Sequence, residues 1–242
     1  VTMKLSSLAK ALLASSMLFS AANVFAADPV TVSGSAAFTT DYLFRGVSQT
    51  SSTAAAQVGM TLTHESGAYF TAWGSSVVSA VSAGGLELDT LLGYSGKAGE
   101  VSYDVGVMRY NYPANNVPYA YNEIYGSVST MGAKVGLNYS DEYYNKSDKF
   151  MYLYASYSTE VAGIGLSASV GMNKFDSAAM MTQALALGGN NTDDSYVDYK
   201  VAASKAIGGV TIEGAYIGSN IAEAECGSLC EGRAVVTVTK GF

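Results

Sequence analysis

The chain is 242 residues long and carries 20 acidic and 13 basic residues, which give a formal net charge of −7. This acidic balance argues against nucleic acid or an anionic membrane leaflet as a partner. Only 14% of the residues are charged, whereas glycine and tyrosine are abundant, with 26 and 18 copies. Because tyrosine combines an apolar ring with a polar hydroxyl, this composition suits a protein at a membrane–water interface.

Residues 1–26 are predicted to be a cleaved export signal. Lys4 and Lys10 supply a positively charged start, residues 11–19 are apolar, and residues 24–26 (Val-Phe-Ala) match a cleavage site. Beyond this segment no apolar run approaches the ~20 residues that a membrane-spanning helix needs. Residues 27–242 are therefore expected to form a single exported domain, either soluble or built into the outer membrane of a Gram-negative bacterium as a barrel.

The exported part alternates apolar and polar residues with a period of two, which is typical of β-strands. In residues 164–172, for example, apolar side chains alternate with glycine and serine. Twelve segments carry this pattern more or less strictly: 30–44, 54–62, 68–78, 86–94, 101–107, 121–131, 133–139, 150–160, 164–172, 197–203, 210–216 and 234–238. Since a closed antiparallel barrel needs an even number, we predict an all-β, 12-stranded transmembrane β-barrel.

Short and long connections alternate between these segments. Tight, glycine-bearing turns are predicted at 65–67, 95–99, 131–132, 161–163 and 207–209. Looser connections lie near 46–52, 79–84, 113–118, 143–147, 176–194 and 220–232. This sorting is typical of an outer-membrane barrel with short periplasmic turns and longer extracellular loops. A soluble β-sandwich, the main alternative, has no reason to sort its loops in this way.

Several local sequences also resemble a known family. They are 39–50 (TTDYLFRGVSQT), 64–67 (HESG), 73–75 (WGS), 87–89 (ELD), 103–107 (YDVGV), 109–110 (RY), Pro113 and 198–201 (DYKV). Together they are similar to the TorF family of porins, and the first stretch is the most specific. The resemblance covers nearly the whole exported chain and implies an outer-membrane barrel with a porin function. It supplies neither a defined substrate nor catalytic residues.

Charged side chains on the polar phase of the strands are predicted to face the lumen, because a Lys or Arg facing lipid near mid-bilayer costs about 2–4 kcal/mol. The predicted lumen-lining charges are Asp41, Arg45, Glu87, Asp89, Asp104, Glu123, Lys134, Asp198, Lys200, Glu213 and Arg233. Asp41 and Arg45 are placed on the first strand. Arg109 and Lys240 fall on the lipid-facing phase, so each should lie near a membrane edge or at a bulge.

Two interpretations of these charges remain open. In the first, an acidic lumen conducts small hydrophilic solutes by passive diffusion, with a modest preference for cations. In the second, residues such as Asp198, Lys200, Glu213 and Arg233 pair with one another and close the barrel, which then serves as a scaffold or adhesin. Barrel size does not decide, because about eight strands are filled by side chains and 16–18 leave a channel. The narrow porin is favoured.

The longest predicted loop, 177–194, contains an apolar, helix-favouring stretch at 178–187. Such a stretch is unusual for a solvent-exposed connection. It either folds inward as a constriction or lid, or forms a short helix on the outer rim of the membrane.

The only two cysteines, Cys226 and Cys230, lie in the last predicted loop. In an exported protein this close pair predicts a disulfide. No histidine lies nearby to support a metal site, and neither a metal nor another cofactor is expected.

An outer-membrane enzyme is the least favoured function class. Such chemistry generally needs a histidine beside a nucleophile, and the single histidine, His64, lies at a predicted periplasmic turn. Neighbouring residues on a strand point to opposite faces, so His64, Glu65 and Ser66 do not predict a catalytic triad. We therefore predict no catalytic residues.

The final predicted strand runs on to Phe242, which is expected to act as an assembly signal. The expected partners are outer-membrane lipid and lipopolysaccharide, the barrel-assembly machinery and small solutes.

Overall fold

Alternating apolar and small polar residues build the wall of a closed antiparallel barrel. The computed structural model describes residues 29–78, 85–113 and 119–242. The predicted export signal therefore lies outside the described residues. The strands are β1 (Val30–Thr39), β2 (Leu43–Phe44), β3 (Val47–Ser48), β4 (Ala55–His64), β5 (Ala68–Ser76), β6 (Leu86–Ala98), β7 (Val101–Asn111), β8 (Tyr121–Thr130), β9 (Ala133–Ser140), β10 (Phe150–Val161), β11 (Ile164–Phe175), β12 (Ser195–Ile207), β13 (Val210–Ser219) and β14 (Arg233–Gly241).

Twelve of these strands form the wall, which confirms the predicted fold class. Each wall strand pairs with its neighbours in the chain, and β1 closes the barrel by pairing with both β4 and β14. At the seam, Ser35 lies opposite Gly241 and Thr39 opposite Thr237. The predicted closure of the first strand on the last is therefore present.

The two edges of the barrel differ as the sequence predicts. Five tight turns lie on one edge, here called the turn side, and the longer connections lie on the other, here called the loop side. The predicted turn at 95–99 is too long, because β6 and β7 pair as far as Ala98 and Val101. Residues 79–84 and 114–118, which cover most of two predicted loops, lie outside the described residues.

The outer face of the wall is apolar, as in a barrel that faces lipid. Large exposed side chains on this face include Val32, Phe38, Leu92, Val107, Ile124, Val135, Leu153 and Val201. Arg109 also points outward, as strict alternation requires, and it donates hydrogen bonds to Asn111 and Asn122 near the loop side. Lys240 lies at the turn side, where its ammonium donates to the carbonyl of Gly209 at 2.9 Å.

The predicted first strand, 30–44, is too long. β1 ends at Thr39, and residues 40–54, here called the inward segment, leave the wall and fold into the lumen. Asp41 and Arg45 therefore lie on the inward segment and not on the wall. At its tip β2 and β3 form a hairpin in which Arg45 and Gly46 have φ of 49° and 79°. Two consecutive residues with positive φ fit a tight turn whose twist matches its flanking strands.

The described loop-side connections contain two α-helices and two 3-10 helices, Tyr144–Lys146 and Gly227–Leu229. Helix α1 (Ala178–Leu185) begins after Ser177, whose hydroxyl accepts a hydrogen bond from the backbone N–H of Met180. Helix α2 (Glu223–Cys226) is a single turn. No helix in the described ranges is both long and apolar enough to cross a membrane.

Candidate functional site: the barrel lumen

The inward segment is fixed to the barrel by Asp41. One oxygen of its carboxylate accepts hydrogen bonds from the hydroxyls of Ser48 and Thr50, at 2.7 and 2.6 Å. The other oxygen accepts from Arg233 of β14 at 3.0 Å. Asp41 therefore closes the segment on itself and ties it to the wall.

Arg45 projects from the hairpin tip across the lumen. Its guanidinium forms a bidentate salt bridge with Glu123 of β8, with N–O distances of 2.8 and 2.9 Å. Both side chains are almost completely buried, at 3% and 0% exposure. Glu123 also accepts from Tyr110 and Asn138, at 3.2 and 2.9 Å. This carboxylate is thus fully hydrogen-bonded, which a buried charge requires.

Aromatic rings enclose the Arg45 guanidinium. Its central carbon lies 4.7, 4.8 and 4.4 Å from the ring centroids of Phe44, Phe150 and Tyr152. These distances allow cation–π attraction, which is strengthened by burial. The ion pair is therefore held in a packed, almost completely buried environment.

A buried cluster, here called the loop-side cluster, fills this half of the lumen. Its larger members are Val47, Tyr110, Tyr121, Tyr143, Phe150, Tyr152, Phe175, Met181, Leu187, Tyr196 and Ile221. Helix α1 contributes Met181 and Ala184, so it packs over the lumen mouth and does not rest on the outer rim. Gln183 of α1 donates to the carbonyl of Asn145 at 2.7 Å, which joins the helix to the neighbouring loop.

The turn-side half of the lumen encloses open space. A cavity of about 1930 Å³, including the part that opens to solvent, extends from Arg45 towards the turn side. Its lining is mixed: small polar residues lie among tyrosine rings and apolar side chains, and they include Ser127, Ser156, Ser158, Ser167, Ser169, Thr237 and Thr239. The polar part of this surface can contact water and hydrophilic solutes.

Tyrosines lie close against the wall because glycines face them. A Cβ atom on Gly136 would lie 2.4 Å from the Tyr154 ring, and one on Gly171 would lie 2.2 Å from the Tyr152 ring. A position at the membrane interface therefore explains only part of the abundance of tyrosine. Several tyrosine rings face the lumen, and the glycines beneath them let these rings lie close to the wall, which leaves the lumen wider.

The remaining predicted lumen charges occupy both halves. Glu87, Asp89, Asp104, Lys134 and Asp198 are buried, whereas Lys200, Glu213 and Arg233 are half-buried. Lys200 and Glu213 form a salt bridge at 2.6 Å. Asp198, which the closed-barrel interpretation would pair with a base, forms no salt bridge among the described residues; Asn173 and Tyr152 donate to its carboxylate at 2.7 and 3.2 Å.

Other predicted positions lie outside the lumen. Cys226 and Cys230 are joined by a disulfide in the last loop. His64 lies at the turn side, where its Nδ1 is 2.8 Å from Oγ of Ser66, and both side chains are exposed. The main chain of Phe242 exchanges hydrogen bonds with that of Gly34 at the seam. Within the described ranges, no three His, Cys, Asp or Glu side chains are grouped to hold a metal ion.

A closed wall with an apolar outside and polar lumen defines the class of a transmembrane β-barrel. The KdgM porin aligns over 87% of this chain and 99% of its own, at 12% identity and a TM-score of 0.53. The NanC porin aligns over 86% and 98%, at 7% identity and a TM-score of 0.46. An outer-membrane channel from Pseudomonas putida F1 aligns over 87% and 95%, at 13% identity and a TM-score of 0.43. The KdgM alignment shows a shared fold.

The chain belongs to the Gcw_chp family of bacterial proteins of unknown function, whose family model matches residues 23–242. A comparison with the curated proteins found no match. The predicted resemblance to the TorF family stays a prediction.

Proposed function

We propose that this barrel is an outer-membrane channel through which small hydrophilic solutes diffuse passively, as the TorF resemblance also implies. The observation that carries the proposal is the open cavity in the turn-side half of the lumen, where serine and threonine side chains and charged groups lie among tyrosine rings and apolar side chains. A barrel filled for structural reasons alone would have no need of such an open interior. The inward segment is the constriction of the proposed channel.

The proposed channel has a modest preference for cations. Of the eleven predicted lumen charges, seven are acidic and four are basic. Arg45, Lys200 and Arg233 each form a salt bridge with an acid, and Lys134 interacts electrostatically with Asp104. The acids Glu87, Asp89 and Asp198 form no salt bridge among the described residues. An excess of carboxylates raises the local concentration of cations.

A closed scaffold barrel is the second candidate. It is favoured by the loop-side cluster and by the fully buried Arg45–Glu123 pair, which fill the loop-side half of the lumen. Both candidates share the proposed setting of outer-membrane lipid, lipopolysaccharide and assembly machinery. Neither assigns a catalytic step to the chain.

Single-channel recording in planar bilayers separates the two candidates. The double variant Arg45→Ala/Glu123→Ala removes both buried charges together, so neither is left unpaired, and it should open larger current steps than the wild type. The matched control is Lys200→Ala/Glu213→Ala, which removes a salt bridge beside the open cavity and should leave the step size nearly unchanged.

The reversal potential in a salt gradient tests the charge preference, and cation selectivity is expected. Anion selectivity would contradict the proposed role of the acids. If neither the wild type nor the Arg45→Ala/Glu123→Ala variant opened channels, the scaffold would be the better description.

Deleting residues 178–187 tests helix α1 separately. Because Met181 and Ala184 pack over the lumen mouth, the deletion should raise the conductance of the proposed channel. An unchanged conductance would show that the helix does not limit passage.

A further inference from the structure

Asp89 lines the lumen cavity, and Glu87 lies beside it, just beyond the cavity lining. They lie two residues apart on β6, so both face the lumen. The rise of a strand places their Cα atoms about 6.6 Å from each other. Their exposed fractions are only 2% and 1%. Oε2 of Glu87 and Oδ1 of Asp89 have no hydrogen-bond partner among the described residues.

Within the described ranges, neither carboxylate of this pair takes part in a salt bridge. Residues 79–84, between β5 and β6, and residues 114–118, between β7 and β8, contain no Lys, Arg or His. Because an uncompensated buried carboxylate is costly, two of them so close together must be neutralised, by protons or by a positive ligand.

Aromatic rings flank the carboxylates. Asp89 lies opposite Trp73 of β5 and Tyr110 of β7 in the sheet register. Tyr42 of the inward segment packs edge-on against Trp73, with ring centroids 5.5 Å apart. Asp89, Trp73, Tyr110 and Tyr42 line the cavity. Glu87 lies beyond the cavity lining, where the hydroxyl of Tyr112 donates a hydrogen bond to it at 3.2 Å.

This combination fits an organic cation better than a metal ion. Calcium takes six to eight oxygen ligands, and the described residues offer no group of three acidic, His or Cys side chains. Aromatic faces attract ammonium groups and pack against their alkyl substituents. The two free carboxylate oxygens can accept N–H hydrogen bonds, which a primary ammonium donates.

We propose that Glu87 and Asp89, flanked by Trp73, Tyr110 and Tyr42, bind a small primary alkylammonium ion. The ion enters from the cavity and stops beside the inward segment. Binding at this site goes beyond the proposed channel function, since it does not require that the ion passes through the barrel. A barrel that failed to conduct would still bind the ligand.

Trp73 provides the measurement, because it is the only tryptophan in the chain. Its fluorescence in the detergent-solubilised barrel is titrated with methylammonium chloride, and with potassium chloride at equal ionic strength. Methylammonium should give a saturable change that potassium does not reproduce. Glu87→Gln and Asp89→Asn should each weaken binding about tenfold or more, because each removes a buried charged acceptor.

Asp104→Asn is the matched control. Asp104 also lines the cavity, yet it is engaged by the hydroxyl of Tyr69 at 2.8 Å. This variant should bind methylammonium within about twofold of the wild type if the effect is local to the pair. An equal loss in all three variants would overturn the assigned site in favour of a general effect of lumen charge.

Two further results would overturn the proposal. One is an equal response of wild-type Trp73 to methylammonium and potassium. The other is a fluorescence change on acidification with none on addition of methylammonium, which would show that a proton neutralises the pair. If the substituted barrels did not fold, the comparison of the two salts on the wild-type protein would still decide.

Discussion

The two halves of the lumen are built from the same alternating strands but hold their charges in opposite ways. In the loop-side half, Arg45 and Glu123 are buried, doubly hydrogen-bonded and enclosed by rings. In the turn-side half, Lys200 and Glu213 form a single contact beside an open cavity, with 21% and 16% of their side chains exposed.

This difference arises mainly from the inward segment. Wall strands supply rings and charges to both halves, but only the loop-side half receives Phe44, Arg45 and Val47 from within the barrel. A lumen of twelve strands is intermediate in width. In this barrel, the blocking of the lumen therefore depends on the inward segment and on α1, which covers the loop-side mouth.

The largest effect is expected from Glu123→Gln. This change leaves the buried Arg45 guanidinium without its counter-charge, which should lower the free energy of unfolding by about 3–5 kcal/mol. Urea unfolding in lipid vesicles, followed by Trp73 fluorescence, measures the loss.

A double variant, Arg45→Met/Glu123→Leu, provides the control. It replaces both charges by apolar side chains, and such a replacement is often neutral or stabilising. It should therefore recover most of the stability lost in Glu123→Gln. A double variant as unstable as the single one would show that packing of the hairpin tip, and not the unpaired charge, causes the loss.

The wall could be predicted from sequence because a barrel imposes two different environments on alternate residues. Apolar residues face outward and small polar residues face inward along β11, for instance, and this period of two identifies the strand. The inward segment could not be predicted in the same way. Tyr42 and Phe44 continue the alternation beyond Thr39, and the turn at Arg45-Gly46 lacks the Asn-Gly or Asp-Gly pair typical of such turns.

The phase of the strands also predicts that Glu87, Asp104 and Glu123 face inward. It cannot predict their partners, because these depend on contacts across the lumen. Arg45 and Glu123 are 78 residues apart, and no local pattern connects them. The run of aromatic residues at Tyr143, Tyr144 and Phe150 was the available signal for the loop-side cluster, but the same residues would suit a membrane interface.

A smaller effect is expected from adding a methyl group beneath a tyrosine. Gly171→Ala would place its Cβ 2.2 Å from the Tyr152 ring, which is packed beside Arg45 and bonded to Asp198. The ring has little room to move, so the substitution should cost about 1–3 kcal/mol, as overpacking usually does.

Gly136→Ala is the matched substitution in the open half. Its Cβ would lie 2.4 Å from the ring of Tyr154, which is half-buried, whereas Tyr152 is buried and held by Asp198. The expected cost is below about 1 kcal/mol. Equal costs in the same urea measurement would mean that the two rings are equally constrained, which would weaken the contrast between the halves.

The smallest effect is expected from Glu213→Gln. The variant removes the salt bridge to Lys200, but water in the cavity can solvate the remaining ammonium, so the free energy of unfolding should fall by less than about 1 kcal/mol. Added salt should reduce even this difference, because mobile ions screen exposed pairs much more than buried ones. Urea unfolding of the wild type and the variant at low and high salt measures both effects. A salt-independent loss as large as that of Glu123→Gln would mean that Lys200 is as strongly shielded from water as Arg45. The turn-side half could then no longer be described as an aqueous cavity.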